Sequence, residues 1–206
     1  LPSFREGLFQ VQDVSSMLAV LKAAPRRGDY CIDVCAAPGG KSLHLADLLD
    51  GTGMVEARDL TEYKVQLIEE NIARSGMTNI RAVQWDATVP DEVSAGKADV
   101  VLADLPCSGL GVLNKKRDLK YRMTPEQEKE LVHLQRRILE TVQQYVKPGG
   151  TLVYSTCTVH REENEGNTAW FLEHFPFVLK EQIQMLPGRD PWDGFYIAKM
   201  EKRQND

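Results

Sequence analysis

Short apolar runs alternate along the chain with longer stretches whose apolar residues recur at helical spacing. Tyr30 to Val34, Met54 to Arg58, Ile80 to Gln84, Ala98 to Ala103, Thr151 to Ser155 and Phe195 to Met200 read as strands. Between them, Lys41 to Leu49 places Leu45, Leu48 and Leu49 on one helical face. Thr61 is positioned to N-cap a helix through Ser75, with Gly76 as its stop. Thr124-Pro125-Glu126-Gln127 predicts a capping box with Pro in the first turn. Leu131, Leu134, Ile138, Val142 and Tyr145 then share a face, and Pro148-Gly149-Gly150 is where that helix is expected to end. Glu162 to Phe175 predicts a further helix. Such alternation implies βαβ units and a mostly parallel sheet with helices on both faces. Ligands of these sheets sit beyond the carboxyl ends of the strands, so the turns that follow the strands are where chemistry belongs.

The first of those turns is Asp33-Val34-Cys35-Ala36-Ala37-Pro38-Gly39-Gly40-Lys41. Its small residues let a ligand approach the backbone, and the following helix start suits a carboxylate or phosphate. It has neither the Walker spacing nor a Gly-x-Gly-x-x-Gly fingerprint, and a glycine-rich turn alone also serves simply to close a sheet. Asp59 follows about 20 residues later, where Rossmann-like domains bind ribose hydroxyls. It could equally open the helix capped by Thr61, but beside the first turn the ribose role is the better reading. Asp86 divides evenly between a plain turn residue and an acceptor for an adenine amine. The fourth turn, Asp104-Leu105-Pro106-Cys107-Ser108-Gly109, and the fifth, Ser155-Thr156-Cys157-Thr158, each carry a thiol. Cys157 lies just before a helix start, which favours thiolate. One such cysteine would read as core filler. Two on one ligand-binding face, with Asp104 between them, read as chemistry.

Composition narrows the picture. The 206 residues, 42% hydrophobic, suffice for one domain with a single core over residues 1–206. No apolar run is long enough to span a bilayer and no signal peptide is visible, so a cytoplasmic setting is the default expectation. The chain begins with Leu, which suggests a fragment lacking upstream domains. The four cysteines lack metal-site spacing, so no metal is expected, and Cys31, in an apolar run, is expected to be structural. A net charge of −5 disfavours a broad nucleic-acid surface. The run Lys115-Lys116-Arg117 with Lys120 and Arg122 offers a local patch for phosphates, or else a solvated loop.

The first turn, the Asp104 to Gly109 loop and the Ser155 to Thr158 loop together resemble the RNA cytosine-5 methyltransferase family, the Nop/Sun group. So do Val11-Gln12-Asp13-Val14-Ser15-Ser16 and Asp193-Gly194-Phe195-Tyr196. The match runs in order over nearly the whole chain. Gly111-Val112-Leu113, followed by basic residues and Asp118-Leu119-Lys120-Tyr121, is similar to the bacterial B-type members, which act on small-subunit ribosomal RNA. Two departures stand out: Leu105 replaces a usual Ala, and Glu56-Ala57-Arg58 replaces a more apolar stretch, so that Arg58 is expected to alter the cofactor edge. The resemblance implies a Rossmann-like class I S-adenosylmethionine-dependent methyltransferase with a seven-stranded sheet, acting as a monomer on RNA, and a C-terminal fragment that lacks the upstream RNA-binding domain common in the B type. It implies that Cys35, Ala36, Ala37, Pro38, Gly39, Gly40 and Lys41 hold the methionine end of the cofactor, Asp59 the ribose and Asp86 the adenine. Asp104 is implied to touch both cofactor and the cytosine N3 edge. Cys157 is implied to attack C6, which makes C5 nucleophilic, and Cys107 to serve in product release. An RNA-binding scaffold without activity and a tRNA or DNA cytosine methyltransferase are the alternatives. The intact thiols, Asp104 and cofactor turn speak against the scaffold.

Overall fold

The computed structural model describes residues 1–115, 123–190 and 192–204. Seven strands form one sheet: β1 Tyr30–Asp33, β2 Met54–Asp59, β3 Ile80–Gln84, β4 Ala98–Asp104, β5 Val146–Thr156, β6 Phe177–Met185 and β7 Phe195–Lys202. Their order is β3-β2-β1-β4-β5-β7-β6. β7 runs antiparallel to β5 and β6, and the other pairings are parallel. This is a Rossmann-like sheet with the seven strands that the resemblance implies. The order reverses between β1 and β4, so their carboxyl ends open the crevice where such folds bind ligands.

Successive strand residues alternate between two cores, as a doubly covered sheet requires. Cys31, Val55, Val100 and Leu102 pack with Val20, Leu45 and Ile68 on one face. Those three come from α2 (Val14–Ala23), α3 (Gly40–Leu48) and α4 (Glu62–Ser75). Ile32, Val101, Leu152 and Tyr154 pack with Ile138, Leu139 and Phe171 on the other. These belong to α5 (Pro125–Val142) and α6 (Asn167–His174), the latter entered through a π-helical turn, Glu162–Gly166. A short helix, α1 (Pro2–Arg5), opens the chain. Cys31 is fully buried in the first core, in keeping with a structural role.

Thr124 makes the predicted capping box with Gln127, and Thr61 caps α4 as expected. The end of α5 differs from expectation: it stops at Val142, six residues before Pro148. β5 already pairs Val146 with Ala98, so the chain must leave the helix by Tyr145. Pro148-Gly149-Gly150 instead lies inside β5, where the register with β4 shifts. Two elements had no clear periodic signal. α2 is started by Asp13, whose side chain accepts from the Ser15 N–H at 3.0 Å. β6 is an edge strand rich in polar residues, and it is the seventh strand. Arg58 is buried: its side chain donates to Glu56 (2.6 Å), Asp91 (2.8 Å) and Ser94 (2.6 Å) and lies 5.6 Å from the Trp85 ring, while its carbonyl accepts from the Ala36 N–H of the first turn at 2.9 Å. Among the described residues, no helix is long and apolar enough to cross a membrane.

Candidate active site

The turn after β1 closes on itself before α3 begins. The Gly39 N–H donates to the Ala36 carbonyl at 2.7 Å, and Gly39 takes φ 105°, a conformation that favours glycine. Asp59, at the end of β2, ties this turn down: its carboxylate accepts from the Ala37 N–H (3.0 Å) and the Leu60 N–H (2.8 Å) and pairs with Lys64 (2.9 Å). The result is a cleft of about 190 Å³ bounded by Cys35 to Pro38, Gly40, Lys41, Asp33 and Asp104, with Gln10 to Asp13 as its outer wall. Asp33 is buried, and one carboxylate oxygen accepts from Ser42 Oγ at 2.7 Å. Among the described residues its other oxygen has no hydrogen-bond partner, and burial pushes its carboxyl up to about 7.

Beyond β4, Asp104 pairs with Lys41 at 2.6 Å and accepts from Ser155 Oγ at 2.8 Å. Burial works to lower the Lys41 ammonium, but Asp104, Asp33 and Cys157 around it raise it overall. The two thiols predicted from separate turns meet: Cys107 Sγ and Cys157 Sγ stand 3.3 Å apart, half-buried and unoxidised. Hydrogen bonding to Cys157 and burial push the Cys107 thiol well up, which keeps it protonated. Ser108 and Thr158, the residues after each cysteine, share a buried hydroxyl hydrogen bond of 2.7 Å. The Cys157 carbonyl accepts from the Gly111 N–H, and Gly111 accepts in turn from the Gly194 N–H. The Asp193-Gly194-Phe195 segment thereby backs the thiols.

Other predicted residues lie further out. Asp86 is exposed and accepts from the Thr88 N–H and hydroxyl, beside an open hollow lined by Leu60, Trp85 and Val89. Lys115 bridges Asp13 (2.8 Å) and Asp193 (2.6 Å), so its charge is already matched. Burial works against the Asp13 carboxylate, yet hydrogen bonds from Lys115 and Ser15 bring it down to about 2. Lys116, Arg117, Lys120 and Arg122 fall outside the described residues. Among the described residues, no group of three His, Cys, Asp or Glu could hold a metal ion. Sequence reasoning missed the Lys41–Asp104 pair and the glutamines of the outer wall. The only hint of the wall was the Val11 to Ser16 string.

The cleft suits the amino-acid end of S-adenosylmethionine. Asp33 presents a buried, unpartnered acceptor oxygen for an ammonium, and Gln12 Nε2 is a buried, unpartnered donor on the same wall. The first turn of α3 offers N–H groups without intrahelical partners for a carboxylate.

Comparison with known proteins gives the family. The chain is 38% identical to a probable ribosomal RNA small subunit methyltransferase B of Bacillus subtilis, covering 97% of this chain and 49% of the relative. It is 36% identical to ribosomal RNA small subunit methyltransferase B of Vibrio cholerae, covering 98% and 48%. The chain thus spans about half the length of the curated relatives it matches. The crystal structure of NSun6 from Pyrococcus horikoshii, solved with the S-adenosylmethionine analogue SFG, superposes with a TM-score of 0.89 at 32% identity, over 100% of this chain and 56% of that one. Residues 20–201 match the family described as 16S rRNA methyltransferase RsmB/F. The chain belongs to that S-adenosylmethionine-dependent methyltransferase family.

Proposed function

We propose that this chain transfers a methyl group from S-adenosylmethionine to C5 of a cytosine in RNA, with 16S ribosomal RNA as the substrate. The observation that carries the reading is the pair of thiols 3.3 Å apart beside Asp104. A simple methyl transfer to a good nucleophile needs no thiol. Cytosine C5 is a poor nucleophile, and a thiolate added at C6 makes it enamine-like.

In this reading the cofactor supplies an electrophilic methyl group. Cys35, Ala36, Ala37, Pro38, Gly39, Gly40 and Lys41 hold its amino-acid end, Asp59 its ribose and Asp86 its adenine. Cys157 attacks C6, aided by the Lys41 ammonium whose field it shares. As its sulfur adds to C6, the Cys157 proton passes by way of Asp104, oriented by Lys41 and Ser155, to N3 of the base, and N3 gives that proton up to solvent when the adduct breaks. After methylation a solvent base takes the C5 proton, and that bonding pair re-forms the C5–C6 double bond. The C6–S bond breaks with its pair on the Cys157 sulfur, which takes a proton from the Cys107 thiol. Cys107 is then reprotonated from solvent. Hydrogen bonding to Cys157 and burial raise the Cys107 thiol, which fits the proton donor in this step. The target base must leave its stack to reach this site. Phosphate contacts fall to Lys115, Lys116, Arg117, Lys120 and Arg122, of which Lys115 pairs with Asp13 and Asp193.

The test is adduct trapping with 16S ribosomal RNA. Cys107→Ala accumulates a denaturation-stable protein–RNA adduct, and Cys157→Ala forms neither adduct nor 5-methylcytosine. An adduct with Cys157→Ala would reverse the roles, and no adduct with either would refute the mechanism.

A further inference from the structure

The π-helical turn Glu162–Gly166 lies behind both thiols, and two adjacent residues of it, Glu163 and Asn164, are fully buried. Neither touches the cleft. Glu163 Oε2 accepts from the Ser108 N–H at 3.0 Å and from Gln135 Nε2 at 2.8 Å, and Gln135 Nε2 also donates to the Pro106 carbonyl at 2.8 Å. Both neighbours of Cys107 are therefore held by the Glu163–Gln135 pair. Asn164 does the same for Cys157: it accepts from Thr156 Oγ1 at 2.6 Å and donates to the Thr158 carbonyl at 3.0 Å. The Ser108–Thr158 hydroxyl bond closes the frame between the loops.

We propose that this turn is a bracket that sets the position of the two thiols against each other, with Glu163 as the positioning residue for Cys107 and Asn164 for Cys157. The inference rests on the two-thiol reaction proposed above. A fully buried carboxylate costs several kcal/mol unless well compensated. Here one oxygen has two neutral donors, and the other has no hydrogen bond and lies 3.5 Å from His160 Nδ1. An amide would hold the loop more cheaply, so the charge itself has a use. It stands behind Cys107 and adds to the influences that keep that thiol protonated, after Cys157 and burial. π-turns recur at functional sites because the extra residue re-aims side chains that a regular helix would place elsewhere.

The bracket predicts a split between steps. Glu163→Gln keeps an acceptor for Ser108 but loses the charge, and it slows adduct release by about tenfold or more while adduct formation stays near the parent rate. Asn164→Asp keeps the Thr156 acceptor but loses the Thr158 donor, and it slows adduct formation by a similar factor. Formation is measured in the Cys107→Ala background and release with Cys107 intact. If both variants slow both steps alike, or neither step changes, the bracket is refuted. A readout without RNA guards against failure of the reaction scheme. Alkylation of Cys107, followed by peptide mapping against pH, reports a thiol faced by Cys157, Glu163 and Tyr154. Glu163→Gln moves that profile to lower pH, and an unmoved profile overturns the Glu163 assignment. If Cys107→Ala itself traps no adduct, the two-thiol reaction fails and the alkylation profile alone decides the bracket.

Discussion

Asp33 offers a quantitative test of the cofactor cleft through Asp33→Asn. The carboxyl is pushed up to about 7 from 3.8 by burial, against the smaller downward pull of Ser42 and Lys41. A carboxyl raised in the folded state favours the neutral form. The fold therefore pays nothing for it below pH 3.8, and the cost grows as pH rises to 7 and is constant above. One pKa unit corresponds to about 1.4 kcal/mol, so the full cost above pH 7 is on the order of 4 kcal/mol. Asn cannot ionise. Its amide also leaves one N–H where the unpartnered oxygen stood, a cost of about 1–3 kcal/mol that does not depend on pH. The diagnostic quantity is consequently the change in the mutant-minus-parent difference between pH 5 and pH 8. It is on the order of 3 kcal/mol in favour of Asn at the higher pH, or roughly 5–10 °C in Tm for a domain of this size. Differential scanning calorimetry of both proteins at the two pH values measures it. An equal Tm difference at pH 5 and pH 8 would show that Asp33 does not carry the raised carboxyl, and the reasoning would fail. Calorimetric titration with S-adenosylmethionine gives the second half: affinity of the parent strengthens as pH rises through about 7, because the ionised carboxylate pairs with the ammonium. Asp33→Asn removes that pH dependence.

Lys41→Met leaves Asp104 without its 2.6 Å partner and removes the cation near Cys157. Adduct formation falls by about 100-fold, and single-turnover trapping at the parent rate would contradict this. Arg58→Met removes the cation between Glu56 and Asp91, leaving Glu56 with Arg81 and Asp91 with Ser94 and the Val93 N–H, and it destabilises the domain by about 1–3 kcal/mol in urea titration. A loss below about 1 kcal/mol would mean the network is not desolvated as its burial suggests. Gly111→Ala would place a Cβ 2.1 Å from the Gly194 carbonyl oxygen and 2.9 Å from that of Cys157. The backing of the thiols must shift, so adduct formation drops by about tenfold or more, and an unchanged rate would show that the contact yields freely.

The sheet was largely legible because its strands are buried on both faces, and runs such as Ala98 to Asp104 leave a local hydrophobic trace. β6 left less of one, since an edge strand such as Phe177–Met185 can carry Lys180, Glu181 and Gln182 at little cost. The crevice rule singled out Asp59, Asp104, Cys107 and Cys157 by their place after strands and passed over Asp33, and only resemblance divided the two thiols into roles. Residues whose function lies in a distant partner were invisible. Gln135 interrupts the buried face of α5, where periodicity alone reads a polar residue as a blemish. Glu163, in an acidic stretch, reads as a solvated helix start. Only their meeting across 28 positions, with Pro106 and Ser108 between them, gives either a purpose. A polar residue on an apolar face is expensive to keep unless it is paired, so such blemishes mark where the fold spends stability on geometry. Four of them in this chain border the thiols: Gln135, Glu163, Asn164 and Thr158 are all buried, and each holds a residue of one of the two cysteine loops.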